Sequence, residues 1–123
     1  MARKKILLVD DSNTVLLLER MVFGDCGHDI IVARGGKEAV EKALAERPDL
    51  IFMDVVMPGM SGLEACKALR AQEETKSVPI IMVTTRGEPQ DVKAGFEAGC
   101  TEYVTKPFNS ADLLAKLKKY LGD

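Results

Sequence analysis

The residues that could do chemistry stand directly after short apolar runs at widely separated points of the sequence. They are three acids, a hydroxyl side chain and a lysine: Asp10 and Asp11 after KILLV, Asp54 after LIFM, Thr84 after IIMV, and Lys106 before Pro107. Carboxylates bind hard cations such as Mg²⁺, while a hydroxyl and an ammonium donate hydrogen bonds to phosphoryl oxygens. The set is therefore suited to phosphoryl transfer, provided that the fold brings its members together.

The elements that must position these residues follow from the hydrophobic pattern. Short β-rich runs alternate with helical patterns, and each run is followed by turn residues. We predict strands over 5–10, 29–33, 49–54, 78–85 and 101–106, and helices over 12–26, 37–46, 61–73, 90–98 and a last segment that follows the capping candidate Ser110. This alternation predicts a doubly wound α/β fold, with a five-stranded parallel sheet flanked by five helices.

Parallel strands have their carboxyl ends at one edge of the sheet, and ligands bind there. Each residue alone has an ordinary structural role: Asp10 or Asp11 can cap a helix, and Asp54 can open a turn. Together, carboxylates about 4 Å apart repel by roughly 4 kcal/mol per pair at an effective dielectric near 20. One lysine does not offset all of this repulsion, so the cluster favours a bound dication.

Oxygen ligands without a nearby His or Cys favour Mg²⁺, which is often held by one or two carboxylates plus phosphate oxygens. We expect Asp54 to be the nucleophile that forms an aspartyl phosphate. Asp11, Asp54 and a loop carbonyl, which we take to be that of Val56, would hold the metal. Thr84 and Lys106 would then donate to the remaining phosphoryl oxygens.

Four motifs carry a family resemblance. LLVDDS, FMDVVMPGMSG, IIMVTT and YVTKPF occur in this order and resemble the receiver domain of two-component response regulators, especially the single-domain chemotaxis type. Each motif alone is weak, but four in register are specific, and the match covers essentially the whole chain. The resemblance implies a flavodoxin-like sheet with strand order 2-1-3-4-5, for which the chemotaxis receiver is itself a standard example. It also implies a cis peptide between Lys106 and Pro107.

The resemblance also implies roles for individual residues and partners. These roles are the phosphoacceptor Asp54, the acidic pair Asp10 and Asp11, a Mg²⁺-binding carbonyl at Val56, the switch hydroxyl Thr84, the phosphoryl-pairing Lys106 and the switch aromatic Tyr103. The phosphodonor would be a sensor histidine kinase. The signal would leave through the fourth helix, fifth strand and fifth helix, towards a target such as a flagellar switch or a kinase complex.

Two residues depart from the common family pattern. The residue after the switch hydroxyl is often small, yet here it is Thr85, which is followed by Arg86. Val56 offers no polar side chain to position an attacking water. We therefore hypothesise that Thr85 and Arg86 largely govern autodephosphorylation. Unchanged decay of the phosphorylated protein in both Thr85→Ala and Arg86→Ala would refute this.

Composition restricts the remaining possibilities. The chain has 123 residues, about one domain by length, and its net charge is −2, which gives no footprint for nucleic-acid binding by itself. No apolar run approaches the roughly 18 residues of a membrane span, and the N-terminal apolar segment is too short for a secretion signal. Three cysteines and one histidine indicate neither disulfides nor zinc. We expect a stand-alone receiver domain over 1–123, monomeric and cytoplasmic.

Three other functions remain open. A phosphohydrolase with an aspartate nucleophile usually has a second acid two residues later, where this chain has Val56. A flavin-binding module would need a phosphate loop after the first strand, where Asp10 and Asp11 would repel a phosphate. A receiver that binds partners without phosphorylation is the third. We expect a switch that catalyses only its own phosphorylation and dephosphorylation, not an enzyme acting on other substrates.

Overall fold

The computed structural model describes residues 3–24 and 26–122 and contains five strands that alternate with five helices. The strands are β1 (Lys5–Val9), β2 (Asp29–Ala33), β3 (Leu50–Met53), β4 (Ile80–Thr84) and β5 (Glu102–Thr105). The helices are α1 (Asn13–Phe23), α2 (Gly36–Glu46), α3 (Gly62–Arg70), α4 (Pro89–Glu97) and α5 (Ser110–Leu121). Every predicted element is present; β2 has its predicted bounds, and the other elements have one or both ends shifted.

The strands form one sheet in the order β2-β1-β3-β4-β5, and all neighbouring pairs are parallel. The order implied by the family resemblance is confirmed. In the register, Val9 of β1 lies beside Met53 of β3, and Thr84 of β4 lies beside Thr105 of β5. The residues that follow β1 and β3 therefore emerge side by side at the carboxyl edge of the sheet.

The sheet is buried on both faces, which explains why its central strands are apolar throughout. Alternate residues of each strand enter two different core layers. Leu7, Ile51 and Met82 belong to the layer under α2 and α3, whereas Leu8, Phe52 and Ile81 belong to the layer under α1 and α5. Rings of Phe23 and Phe52 pack 5.0 Å apart in the second layer. A rigid, doubly covered sheet is thus the platform for its carboxyl edge.

Several predicted boundaries were wrong, each for a local physical reason. Helix α5 is capped by Asn109, whose side chain accepts hydrogen bonds from the N–H groups of Ala111 and Asp112; Ser110 is the first helical residue, not the cap. Strand β4 begins at Ile80 and not at residue 78, because Pro79 has no N–H for the ladder. Helix α1 ends at Phe23 and not at residue 26, because Gly24 follows Phe23 and glycine disfavours the helix. Residue 25 of the predicted helix lies outside the described residues.

Helix α3 ends at Arg70, three residues before its predicted end. The Arg70 guanidinium donates to the backbone carbonyls of Thr75 and Val78, at 3.3 and 2.6 Å, and so holds the following segment in a non-helical turn. The peptide between Lys106 and Pro107 is cis, as the resemblance implied. Within the described ranges, no helix combines the length and apolar character needed to cross a membrane.

Candidate functional site

The strand ends bring the predicted site residues to one edge of the sheet. Asp10 and Asp54 follow β1 and β3 directly, and the Asp54 N–H donates to the Val9 carbonyl at 2.9 Å. Asp10 and Asp54 are buried, with 1% and 6% exposure, and Thr84 is fully buried. Asp11 is exposed. The edge therefore has an enclosed floor of carboxylates and an opening beside Asp11.

Lys106 reaches this floor from the far edge of the sheet. Its ammonium lies 2.7 Å from an oxygen of Asp10 and 3.5 Å from an oxygen of Asp54. The backbone supports that reach, since the Lys106 N–H donates to the Thr84 carbonyl at 2.8 Å. Asp10 also accepts a hydrogen bond from the Ser12 N–H at 2.9 Å. The lysine therefore bridges two buried acids that are separated by more than forty residues of sequence.

The charge balance at Asp54 favours its neutral form more than in water. Burial and the neighbouring Asp10 carboxylate raise the pKa of Asp54, while the Lys106 ammonium, the Thr84 hydroxyl and the Val56 backbone oppose this rise. Burial alone would lower the pKa of Lys106, but the carboxylates of Asp10 and Asp54 outweigh that effect, so its pKa is raised. The site is thus short of positive charge.

The same carboxylates fit a hard metal ion. One oxygen from each of Asp10, Asp11 and Asp54 lies within 4.8 Å of the other two. This all-oxygen donor set matches the preference of Mg²⁺ for carboxylates. A dication between these acids would supply the positive charge that Lys106 alone does not, so the residues present fit the expected metal.

The loop after Asp54 is fixed by a close backbone contact. The Gly62 N–H donates to the Val55 carbonyl at 2.8 Å, and a Cβ atom at Gly62 would collide with the Asp54 carbonyl. Helix α3 begins at this glycine with a capping box between Ser61 and Glu64. The Val56 side chain is 46% exposed at the rim of the site. The role of its carbonyl in metal binding stays a prediction.

The switch candidates lie on the β4 side of the site. The Arg86 N–H donates to the Thr84 hydroxyl at 3.4 Å, and the Tyr103 hydroxyl donates to the Arg86 carbonyl. Tyr103 is half-buried, whereas Thr85 and Arg86 are exposed at the opening. The backbone of a single residue, Arg86, thus connects Thr84 to Tyr103. The roles of Thr85 and Arg86 in dephosphorylation stay a hypothesis.

Two residues near the site escaped the sequence analysis. Glu19 lies in the apolar stripe of α1 with Leu16 and Phe23 and is only 2% exposed, and its Oε1 has no hydrogen-bond partner. Burial, followed by the field of Asp10, raises the pKa of Glu19 to about 8. Glu19 is spaced three residues after Leu16 and four before Phe23, and this helical spacing could have predicted that it is buried with them. Gly62 was not predicted because the motif FMDVVMPGMSG was interpreted only for Asp54 and the Val56 carbonyl.

Comparison with known proteins supports one family. The model of the response regulator receiver domain matches residues 6–118. The chain is 36% identical to Protein PilH of Pseudomonas aeruginosa over 118 residues, covering 96% of this chain and 98% of PilH. It is 42% identical to the alkaline phosphatase synthesis transcriptional regulatory protein PhoP of Bacillus subtilis, covering 96% of this chain and 48% of PhoP. The chain thus spans about half the length of relatives such as PhoP.

Solved structures agree with this assignment. Chemotaxis protein CheY4 of Vibrio cholerae superposes with a TM-score of 0.90 at 39% identity, covering 97% of this chain and 99% of CheY4. The receiver domain of sensor histidine kinase PA1611 of Pseudomonas aeruginosa has a TM-score of 0.90 at 32% identity, covering 99% and 100%, and holds a magnesium ion in its active site cleft. Sequence motifs, strand order and the acidic edge therefore agree, and the chain belongs to the response regulator receiver domain family.

Proposed function

We propose that this chain is a phosphorylation-dependent switch of two-component signalling, with Asp54 as the phosphoacceptor. The observation that carries the proposal is the bridge from the Lys106 ammonium to Asp10 at 2.7 Å and to Asp54 at 3.5 Å. Asp54 therefore belongs to a cluster of acids that could bind a metal ion and also lies near the buried Thr84 hydroxyl and the Lys106 ammonium. No single structural role accounts for that combination.

In the proposed reaction, an Asp54 oxygen attacks the phosphorus atom of a phosphohistidine on a sensor kinase. A P–O bond forms, the P–N bond breaks, and the released imidazole takes up a proton. Lys106 and Thr84 donate to phosphoryl oxygens and so offset the charge that the transfer brings into the site. Asp10, Asp11, Asp54 and the Val56 carbonyl would hold Mg²⁺, which when bound neutralises negative charge on the phosphoryl group.

The same residues offer a route from chemistry to signal. A phosphoryl group on Asp54 would accept a hydrogen bond from the Thr84 hydroxyl, whose oxygen already accepts one from the Arg86 N–H. Movement of Thr84 then alters the loop whose Arg86 carbonyl holds Tyr103. A shift from 1:99 to 99:1 between two states takes about 5.5 kcal/mol, which a few charge-assisted hydrogen bonds supply.

The partners in this proposal are a sensor histidine kinase as phosphodonor and a protein that recognises the face of α4, β5 and α5. A chemotaxis role is supported by the likeness to CheY4, and the target could be a flagellar switch or a kinase complex. A monomeric state, a location in the cytoplasm and the absence of direct nucleic-acid or membrane binding stay predictions. We propose no turnover of external phosphate esters, because Val56 supplies no acid or base.

Intact-mass spectrometry after incubation with acetyl phosphate and Mg²⁺ tests this function. Wild type should gain one phosphoryl group, whereas Asp54→Asn should gain none, and EDTA should abolish the adduct. If Asp54→Asn accepts the group as readily as wild type, Asp54 is not the phosphoacceptor. If neither protein is modified although Mg²⁺ binds, an interaction module that works without phosphorylation becomes the better account.

A further inference from the structure

The ring of Tyr103 rests on the backbone of helix α4. Tyr103 lies in β5 beside Met82 of β4, and its half-buried ring packs against the core layer under α2 and α3. Gly95 is the buried residue of α4. A Cβ atom at position 95 would lie 2.8 Å from two carbons of the ring, Cδ2 and Cε2. Real Cβ atoms do not approach a ring so closely, so the observed ring position requires glycine at this point.

The same glycine has a cost for the helix that contains it. Glycine in a helix interior is less favourable than alanine, because it loses more backbone freedom on folding. Gly95 has a negative φ and no turn to make, and α4 continues for two residues beyond it. The close approach of the Tyr103 ring is therefore the feature that accounts for glycine at this position.

The position of the ring decides what the Tyr103 hydroxyl reaches. In its observed place the hydroxyl donates to the Arg86 carbonyl, and the Arg86 N–H in turn donates to the Thr84 hydroxyl. A methyl group added at position 95 would displace the Tyr103 ring from α4. The Tyr103 hydroxyl would then lose its present geometry with the Arg86 carbonyl. Through the Tyr103 ring, Gly95 thus acts on the loop that follows the switch hydroxyl of Thr84.

We propose that Gly95 is a positioning residue of the switch, which provides the seat that holds the Tyr103 ring on α4 with its hydroxyl bonded to Arg86. The proposal rests on the proposed phosphorylation-dependent function and adds to it the contact that couples α4 to the loop after β4. The methyl group of an alanine at position 95 would occupy space that the Tyr103 ring now fills. It should displace the ring and weaken the response of Tyr103 to phosphorylation at Asp54.

A double-mutant cycle, measured by urea unfolding without any phosphodonor, tests whether the Tyr103 ring packs directly on Gly95. Gly95→Ala should lower the unfolding midpoint in the wild-type background, because its methyl group meets the ring. In a Tyr103→Ala background it should raise the midpoint, because the helix gains alanine and the nearest other side-chain atom, Cys100 Sγ, is 3.4 Å away. A midpoint that changes in the same direction and by the same amount in both backgrounds overturns the proposal. Recovery of folding in the double variant would support it even if Gly95→Ala alone did not fold.

The functional half of the proposal is tested by ¹⁹F NMR of fluorotyrosine-labelled protein. Tyr120→Phe leaves Tyr103 as the sole tyrosine, because the chain has two. In this background Gly95→Ala should displace the Tyr103 resonance and reduce its further shift on incubation with acetyl phosphate and Mg²⁺. Lys93→Ala, an exposed change in the same helix, is the control and should behave as the parent. Parent-like resonances in Gly95→Ala, before and after the phosphodonor, contradict the proposal.

The two failures are distinguishable. If the parent takes up no phosphoryl group by intact mass, the proposed function fails, while the cycle and the spectrum without phosphodonor still decide whether Gly95 seats the ring. If the parent is phosphorylated and the Gly95→Ala resonance responds as the parent's does, the function stands and the role of Gly95 is wrong. Each resonance shift is compared at the phosphorylated fraction measured by mass.

Discussion

At the scale of single residues, the site is governed by an excess of buried negative charge. Burial, followed by the Asp10 carboxylate, raises the pKa of Asp54, and the Lys106 ammonium 3.5 Å away opposes this rise. Glu19 belongs to the same electrostatic group, since Asp10, Lys106 and Asp54 all act on its pKa. It remains protonated at neutral pH because an ionised carboxylate in an apolar layer would be unsolvated.

Glu19 should make stability fall with rising pH. Its pKa is about 8 in the folded protein and lies near the ordinary 4.5 in the unfolded chain. Between these values the folded state binds more protons, so the free energy of unfolding decreases by at most about 1.4 kcal/mol per pH unit, and the loss is complete above the folded pKa. Urea unfolding of wild type from about pH 5 to about pH 9 measures this slope.

Glu19→Gln and Glu19→Leu are the controls, because neither side chain ionises. The difference in stability between each variant and wild type should grow as the pH rises through this window. Glu19→Leu should be the more stable variant, because it leaves no buried polar atom without a partner. A difference that stays constant with pH would show that Glu19 does not retain its proton in the folded protein.

At the scale of elements, the site depends on where helices begin and end. Helix α3 begins against the backbone of Asp54, and the sequence signal for this was the Ser61-Gly62 pair before a helical pattern. Its early end at Arg70 could not be read from local propensity, because residues 71–73 are ordinary helix formers. The Arg70 guanidinium ends the helix through its bonds to the Thr75 and Val78 carbonyls, and it is itself held by the distant Gly99 and Thr101.

Gly62→Ala should disturb both folding and phosphorylation. Its methyl group collides with the Asp54 carbonyl, so either α3 or the Asp54 backbone must move, at a cost of about 1–3 kcal/mol or more. The rate of phosphorylation by acetyl phosphate should fall with it. Gly35→Ser is the matched control, because that glycine has open space and an extended backbone. Equal stability and rate in Gly62→Ala and wild type would mean that the contact is unimportant.

Arg70 should be a major support for the ends of α3 and β4. Its guanidinium donates to Gly99 O at 2.8 Å, to Val78 O at 2.6 Å and to Thr101 Oγ1 at 3.3 Å. At about 1 kcal/mol for each half-buried bond, Arg70→Ala should lose about 2–4 kcal/mol in urea unfolding and increase hydrogen exchange over residues 71–79. Lys67→Ala, an exposed change in the same helix, should stay within about 0.5 kcal/mol of wild type. A comparable loss in both variants would contradict this role.

At the scale of the whole molecule, alternating elements and the rule for parallel strand ends were enough to predict the fold class and the meeting of Asp10, Asp54, Thr84 and Lys106. The strand order came from the family resemblance, since the pattern of elements alone does not choose among doubly wound sheets. Helix ends and the burial of Glu19 were not predicted, because they depend on tertiary contacts. The contact between Gly95 and Tyr103 likewise joins two elements that no local pattern connects.

The acidic edge should make the whole domain more stable when Mg²⁺ is present. An ion that binds only the folded state at a hundred times its Kd adds about 2.7 kcal/mol to the free energy of unfolding. Mg²⁺ should therefore raise the urea midpoint of wild type, and Asp11→Asn should lose most of this increase. An equal increase in both proteins would place the metal elsewhere.

The most direct test of the central claim is to locate the phosphoryl group on the chain. Protein treated with acetyl phosphate and Mg²⁺ is reduced with borohydride, which converts an aspartyl phosphate to homoserine, and is then mapped by peptide mass spectrometry. We predict homoserine at position 54 and unmodified acids at positions 10 and 11. Homoserine at another position, or none in protein that carries the phosphoryl mass, would contradict the assignment of Asp54 as the phosphoacceptor.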